Sequence, residues 1–143
     1  MKILLSLLMS VVLQVLLTSA LGQTLRDDAQ MRSSDVDIPN RVQVGRTYRV
    51  SVKVTNNGTT TWQARKYFLR VRIVRGPSGS PTQREHLTPH LELKDPVAPG
   101  ESHAFSYEIE GPPYLGEYRL EWVMSNGHDD FGDRVTRTIR VVE

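Results

Sequence analysis

Oxygen ligands crowd one short stretch of this chain, Asn126-Gly127-His128-Asp129-Asp130-Phe131-Gly132-Asp133. Calcium takes several carboxylate and carbonyl oxygens at close quarters. No glutamate stands where an EF-hand loop needs its twelfth ligand, so the stretch reads as a solvated hairpin loop with Phe131 tucked beneath it. His86 and His90 have the four-residue spacing that presents two zinc ligands on a helix, but Pro89 between them denies the helix. His103 and His128 have no catalytic partner in view, and the scattered Ser and Asp residues define no nucleophile–base–acid order. No glycine-rich loop opens a helix as a nucleotide site requires. The chain has no cysteine, which removes thiol catalysis and cysteine-based zinc sites. The reading is therefore of a non-enzyme, with no catalytic, cofactor-binding or metal residues and no small-molecule substrate.

Recognition is the remaining chemistry, and the elements that would carry it are strands. Tyr48, Val50, Val52 and Val54 alternate with Arg49, Ser51, Lys53 and Thr55, and Asn56-Asn57-Gly58 turns the chain. Tyr67, Leu69, Val71 and Ile73 alternate with Phe68, Arg70 and Arg72, and a Gly-Pro-Ser-rich break follows at 76–81. A short strand is expected over 90–93. Phe105, Tyr107 and Ile109 alternate next, stopped by Gly111-Pro112-Pro113. Tyr118, Leu120, Trp122 and Met124 point one way, with Glu117, Arg119 and Glu121 the other. A last strand, rich in Val, Ile and Thr, spans 135–142, and Arg137 interrupts its apolar register without an account from sequence. This period of two, with no helical period and Pro or Gly in every gap, predicts an all-β antiparallel sandwich of about seven strands. Asn57-Gly58-Thr59 is a formal glycosylation sequon that the turn explains better.

Two segments carry more than generic strand character. One is Val54-Thr55-Asn56-Asn57-Gly58-Thr59-Thr60-Thr61-Trp62; the other is Tyr118-Arg119-Leu120-Glu121-Trp122-Val123-Met124, followed by Phe131-Gly132. Val97-Ala98-Pro99-Gly100-Glu101 lies between them, and Gly111-Pro112-Pro113 precedes Gly116. Together these resemble the four-tryptophan (FW) domain, the immunoglobulin-like (Ig-like) central domain of selective-autophagy receptors, which also occurs in bacterial exported proteins. Bacterial adhesion-type Ig-like modules share the strand-Asn-Gly and Pro-Gly-Glu features. The resemblance covers roughly residues 38–142 and implies an Ig-like fold and a protein-interaction role without enzymatic activity. Only Trp62 and Trp122 are present, so the resemblance implies no ligand role for the missing pair.

Trp122 shares a register with Tyr118, Leu120 and Met124 and reads as core, whereas Trp62 follows a turn. On an Ig-type sheet Arg70 and Arg72 would lie beside Glu117, Arg119 and Glu121, with Arg140 beyond them. Cross-strand ion pairs are expected there, each worth about 0.2–1 kcal/mol. The candidate interaction surface is therefore Arg70, Arg72, Glu117, Arg119, Glu121, Arg140 and Trp62.

The chain's first part sets the location. Met1-Lys2, an apolar run over 3–17 and Ala20-Leu21-Gly22 have the three-part layout of a secretory signal peptide, cleaved after Gly22 or, alternatively, Ala20. The run is shorter than a spanning helix needs. Residues 23–37 read as a flexible spacer and 38–143 as the folded domain. Loss of Lys2 lowers the formal net charge of +2 by one, which gives no reason to expect nucleic acid as a partner. The expectation is a secreted or periplasmic adaptor for an unidentified protein, off the membrane after cleavage. A self-assembling structural subunit or a carbohydrate-binding module is the alternative; carbohydrate would need solvent-facing aromatics, for which Trp62, Phe68 and Tyr114 are available.

Overall fold

The computed structural model describes residues 22–80, 87 and 89–143. The signal segment therefore lies outside the described residues except for Gly22, and His86 lies outside them too. Nine strands run in order: β1 (Ala29–Gln30), β2 (Val36–Asp37), β3 (Arg41–Gln43), β4 (Thr47–Asn56), β5 (Phe68–Arg75), β6 (His90–Glu92), β7 (Ser102–Glu110), β8 (Gly116–Ser125) and β9 (Asp130–Val142). They form two sheets. In one, β4 pairs with β7 on one side and with β1 and β2 on the other; the second has the order β3-β9-β8-β5-β6. The architecture is the predicted Ig-like sandwich, and the strands beyond seven are short pieces near the N-terminus.

The alternation read from sequence is the alternation of burial. Val50, Val52 and Val54 of β4 face inward with Phe105, Tyr107 and Ile109 of β7. From the other sheet come Leu69 and Val71, then Tyr118, Leu120, Trp122 and Met124, then Ile139 and Val141. Each fully buried aliphatic or aromatic side chain contributes roughly 1.5–3 kcal/mol. Trp122 also satisfies its indole N–H, which donates to the Tyr107 hydroxyl at 2.8 Å across the core.

Three points go beyond the sequence reading. Residues 23–37 are not a free spacer throughout: β1 and β2 both pair antiparallel with β4, on either side of a short 3-10 turn at Ser33–Asp35. Ala29, Met31 and Val36 are buried beneath the sandwich. Two-residue strands are too short for a periodic signal, so the sequence hides them. Secondly, the sheets are not wholly antiparallel, because β3 pairs parallel with β9. Thirdly, Arg137 has a role. Its Nη1 donates to the carbonyls of Ser33 (3.2 Å) and Val36 (3.1 Å), and its Nη2 to Asn40 Oδ1 at 3.2 Å. One guanidinium thus ties the N-terminal segment to the last strand.

Candidate functional site

The Asn-Gly, Pro-Gly-Glu and Phe-Gly motif residues gather at one pole of the sandwich, and there they hold loops together. Asn56 is fully buried. Its side-chain amide donates to Thr60 O at 2.8 Å and Val97 O at 2.9 Å, while its Oδ1 accepts from Gly58 N at 3.0 Å. Its backbone exchanges bonds with the Pro-Gly-Glu turn, accepting from Gly100 N and donating to Glu101 O, each at 2.8 Å. The Glu101 carboxylate closes that turn by accepting from Ala98 N at 2.9 Å. Trp62 then makes a two-bond bridge with Val97.

Trp62 is completely buried, which removes it from the candidate interaction surface. It stacks on Tyr67 at 6.3 Å and meets Phe131 edge-on at 5.8 Å. The Phe131-Gly132 motif has a matching structural purpose. Gly132 sits at φ +74°, and a Cβ there would lie 2.5 Å from the backbone of Ala29, so only glycine lets β1 approach. These motif residues are thus fasteners of the loops.

The outer face of the five-stranded sheet carries the candidate surface residues. Cross-strand register places Arg72 beside Glu121 and Arg70 beside Val123. Glu117 faces Arg140 at the opposite end of β8 from Val123, which lies beside Arg70. The six charged residues predicted for this surface therefore share one face but split into two groups.

The first group is a paired network that includes two residues missed from sequence, Asp130 and Arg134. Asp130 accepts from Arg72, lies 3.4 Å from Arg70 and is 3.6 Å from Arg134; Glu121 is 3.2 Å from Arg134 and 3.9 Å from Arg72. The two carboxylates are only 12% and 15% exposed. Val123 is fully buried without belonging to the inner core, as expected beneath the aliphatic stems of neighbouring arginines. Arg70 also lies over the Phe68 ring, which in turn packs on His90. This half of the face is held by ion pairs across its strands.

The second group has cations without such partners. Arg41 and Arg140 are register partners, as are Arg75 and Arg119. Among the described residues none of these four forms a salt bridge; Arg119 donates only to Thr136 Oγ1 at 3.2 Å. Beside them is an open depression of about 520 Å³, lined by Arg75, Arg119, Thr136, Thr138, Glu117 and the Gly76–Ser78 turn. The cations of this face are arginines; the described lysines Lys53, Lys66 and Lys94 lie on β4 or in loops. A near-neutral chain has concentrated positive charge on one flat surface.

Other candidate chemistry is accounted for by the fold. In the 126–133 loop Asp130 serves the arginines, Asp133 accepts from Met31 N at 3.1 Å, and Asn126 caps its own turn while donating to Asp27. No group of three potential metal ligands occurs among the described residues. His90 lies on an exposed edge strand, 3.6 Å from Glu92. A groove of about 800 Å³ runs between β6 and β7, with His103, Leu91 and Phe105 in its wall. Burial lowers the His103 pKa, partly opposed by Asp95, and raises those of Tyr107 and Tyr118. Of the aromatics that could have met a sugar, Trp62 is buried, Phe68 lies beneath Arg70, and Tyr114 is exposed in a loop at the opposite pole. They form no row.

The solved structures similar to this chain share its fold at low identity. The solution structure of the CARDB domain of a Pyrococcus furiosus protein has a TM-score of 0.57 at 17% identity, covering 83% of this chain and 98% of its own. The crystal structure of that domain in complex with di-metal ions has a TM-score of 0.58 at 16% identity, covering 83% and 96%. The C-terminal domain of wzt has a TM-score of 0.54 at 15% identity, covering 84% and 77%. No curated protein matches at the level of sequence. The family described as the Ig-like domain from next to BRCA1 gene matches residues 36–141, β2 to β9, and this chain belongs to that family.

Proposed function

We propose that this chain is an exported, non-catalytic adaptor of the four-tryptophan type, which recognises a protein partner through the outer face of its five-stranded sheet. One observation carries the reading: the arginine-rich face is set on paired strands, and half of it is cross-linked by Asp130 and Glu121 while Arg41, Arg75, Arg119 and Arg140 in the other half form no salt bridge among the described residues. Arginine suits such a surface because its planar fork pairs with carboxylates in fixed geometry. The signal-peptide layout of residues 1–22 supports an extracytoplasmic setting. The Ig-like framework and the structural use of its motif residues support binding in place of catalysis.

The test is affinity capture with the purified protein and a variant carrying Arg41→Glu and Arg75→Glu. Each substitution places a carboxylate opposite an existing arginine, so the fold should hold. A reproducible partner lost by this variant, and kept by Arg49→Glu on the opposite sheet, supports the adaptor. A partner retained by the Arg41/Arg75 variant refutes the face.

Strand β7 favours a second reading, self-assembly. Its nine residues pair only with β4 among the described residues, in unbroken register and with no proline or lysine. Edge strands are normally blunted by such features. Sedimentation that shifts with concentration, and is abolished by Ser106→Pro, would favour assembly over the adaptor.

A further inference from the structure

We infer that the unpaired end of this face binds an extended acidic segment of a protein, its carboxylates gripped by Arg75, Arg119 and Arg140. This rests on the adaptor reading and names the partner's chemistry. The first argument is cost. Like charges directly opposite on neighbouring strands are destabilising, yet Arg75 faces Arg119, and Arg41 faces Arg140, whose other register partner, Glu117, makes no salt bridge with it among the described residues. An incoming carboxylate relieves both repulsions.

Spacing is the second argument. Arg119 lies in one cross-strand row with Thr138, and Arg140 in the next with Glu117. The rows are two residues apart along the strands, about 6.7 Å. Side chains on one face of an extended peptide recur at that same interval, so carboxylates at alternate positions meet successive rows. The threonine hydroxyls of the 520 Å³ depression add donors between the arginines, where charge-assisted bonds to carboxylate oxygens are strongest.

Glu117 supplies the third argument. It stands within the cluster, opposite Arg140, and would repel a chain of uniform charge such as a nucleic acid, which carries a phosphate charge about every 1.7 Å of duplex. A peptide with neutral residues between its carboxylates avoids that repulsion.

The experiment measures fluorescence anisotropy of a labelled decapeptide of alternating glutamate and threonine, titrated with the purified protein. Saturable binding is expected, weakening as salt rises from about 50 to about 200 mM. A peptide of the same composition with its glutamates in one block should bind less tightly. Arg75→Glu is the informative variant: it gives Arg119 a cross-strand partner, so the melting temperature should rise while affinity falls by about tenfold or more. Affinity unchanged in Arg75→Glu, or tighter binding of a single-stranded oligonucleotide than of the peptide, would overturn the inference. If the peptide fails to bind while the captured partner is still lost from the Arg41/Arg75 variant, the acidic ligand is wrong and the binding face stands.

Discussion

The buried side chain of Asn56 donates to the carbonyl of Val97, a residue 41 positions further along, at 2.9 Å. One amide thereby joins the end of β4, the Asn-Gly turn and the segment before β7. Removing it leaves the Thr60 carbonyl and the Gly58 N–H without these partners. Asn56→Ala should destabilise the protein by about 2–4 kcal/mol, since each buried polar group left unpaired costs about 1–3 kcal/mol. Asn56→Asp should cost at least as much, because a carboxylate oxygen would face two carbonyls. Urea unfolding measures both. A change under about 0.5 kcal/mol for Asn56→Ala would show that the turn holds without the amide.

How far the sequence discloses this molecule depends on the range of the contact. The inward faces of β4, β5, β7 and β8 are legible because alternation is local, and Tyr118 to Met124 needs no knowledge of its neighbours. The site is only half legible. That Arg70, Arg72, Glu117, Arg119, Glu121 and Arg140 share a face follows from side-chain parity. Which of them meet follows from register, which parity leaves open. Parity alone sets Glu117 beside Arg70 and Arg72, but the ladder sets it against Arg140. Asp130 read as a loop oxygen ligand because its arginine partner, Arg72, is 58 residues away. Trp62, at the end of a turn, carries no parity signal that would distinguish core from surface.

Arg137 is the extreme case, with acceptors about a hundred positions before it. Arg137→Met keeps the aliphatic stem and removes three hydrogen bonds to the N-terminal segment. A loss of about 1–2 kcal/mol is expected, because bonds from charged donors exceed neutral ones but these acceptors are partly solvated. The loss should be local. Amide exchange should accelerate over residues 29–40 and stay unchanged in the centre of β8, whereas uniform acceleration would contradict a strap.

Asp130 sets the geometry of the ion-paired half of the basic face. Asp130→Asn removes the charge shared by Arg70, Arg72 and Arg134. Breaking a fully buried pair costs about 3–5 kcal/mol, and the partial exposure of these arginines reduces the expectation to about 2 kcal/mol. A double-mutant cycle with Arg72→Met should return a coupling energy above about 1 kcal/mol. Additive effects would mean that the network is an exposed decoration worth little.

Tyr67 links the aromatic cluster to the N-terminal segment, its hydroxyl donating to Asp27 at 2.9 Å. Burial first, and then the Asp27 carboxylate, push its pKa from 10.0 up to about 12. The folded state thus holds a proton that the unfolded chain releases earlier. A raised folded pKa contributes stability that is complete below pH 10 and is lost as pH climbs towards 12. Tyr67→Phe preserves the ring packing against Trp62 and Phe131 and removes both the bond and the titration. At pH 7 the variant should be less stable by about 1 kcal/mol. Between pH 10 and about 12 the wild type should lose stability faster, and the gap between the two proteins should close. Denaturant midpoints taken in steps across that window test the sign: a gap that stays constant or widens would mean that Tyr67 keeps no such proton in the folded state.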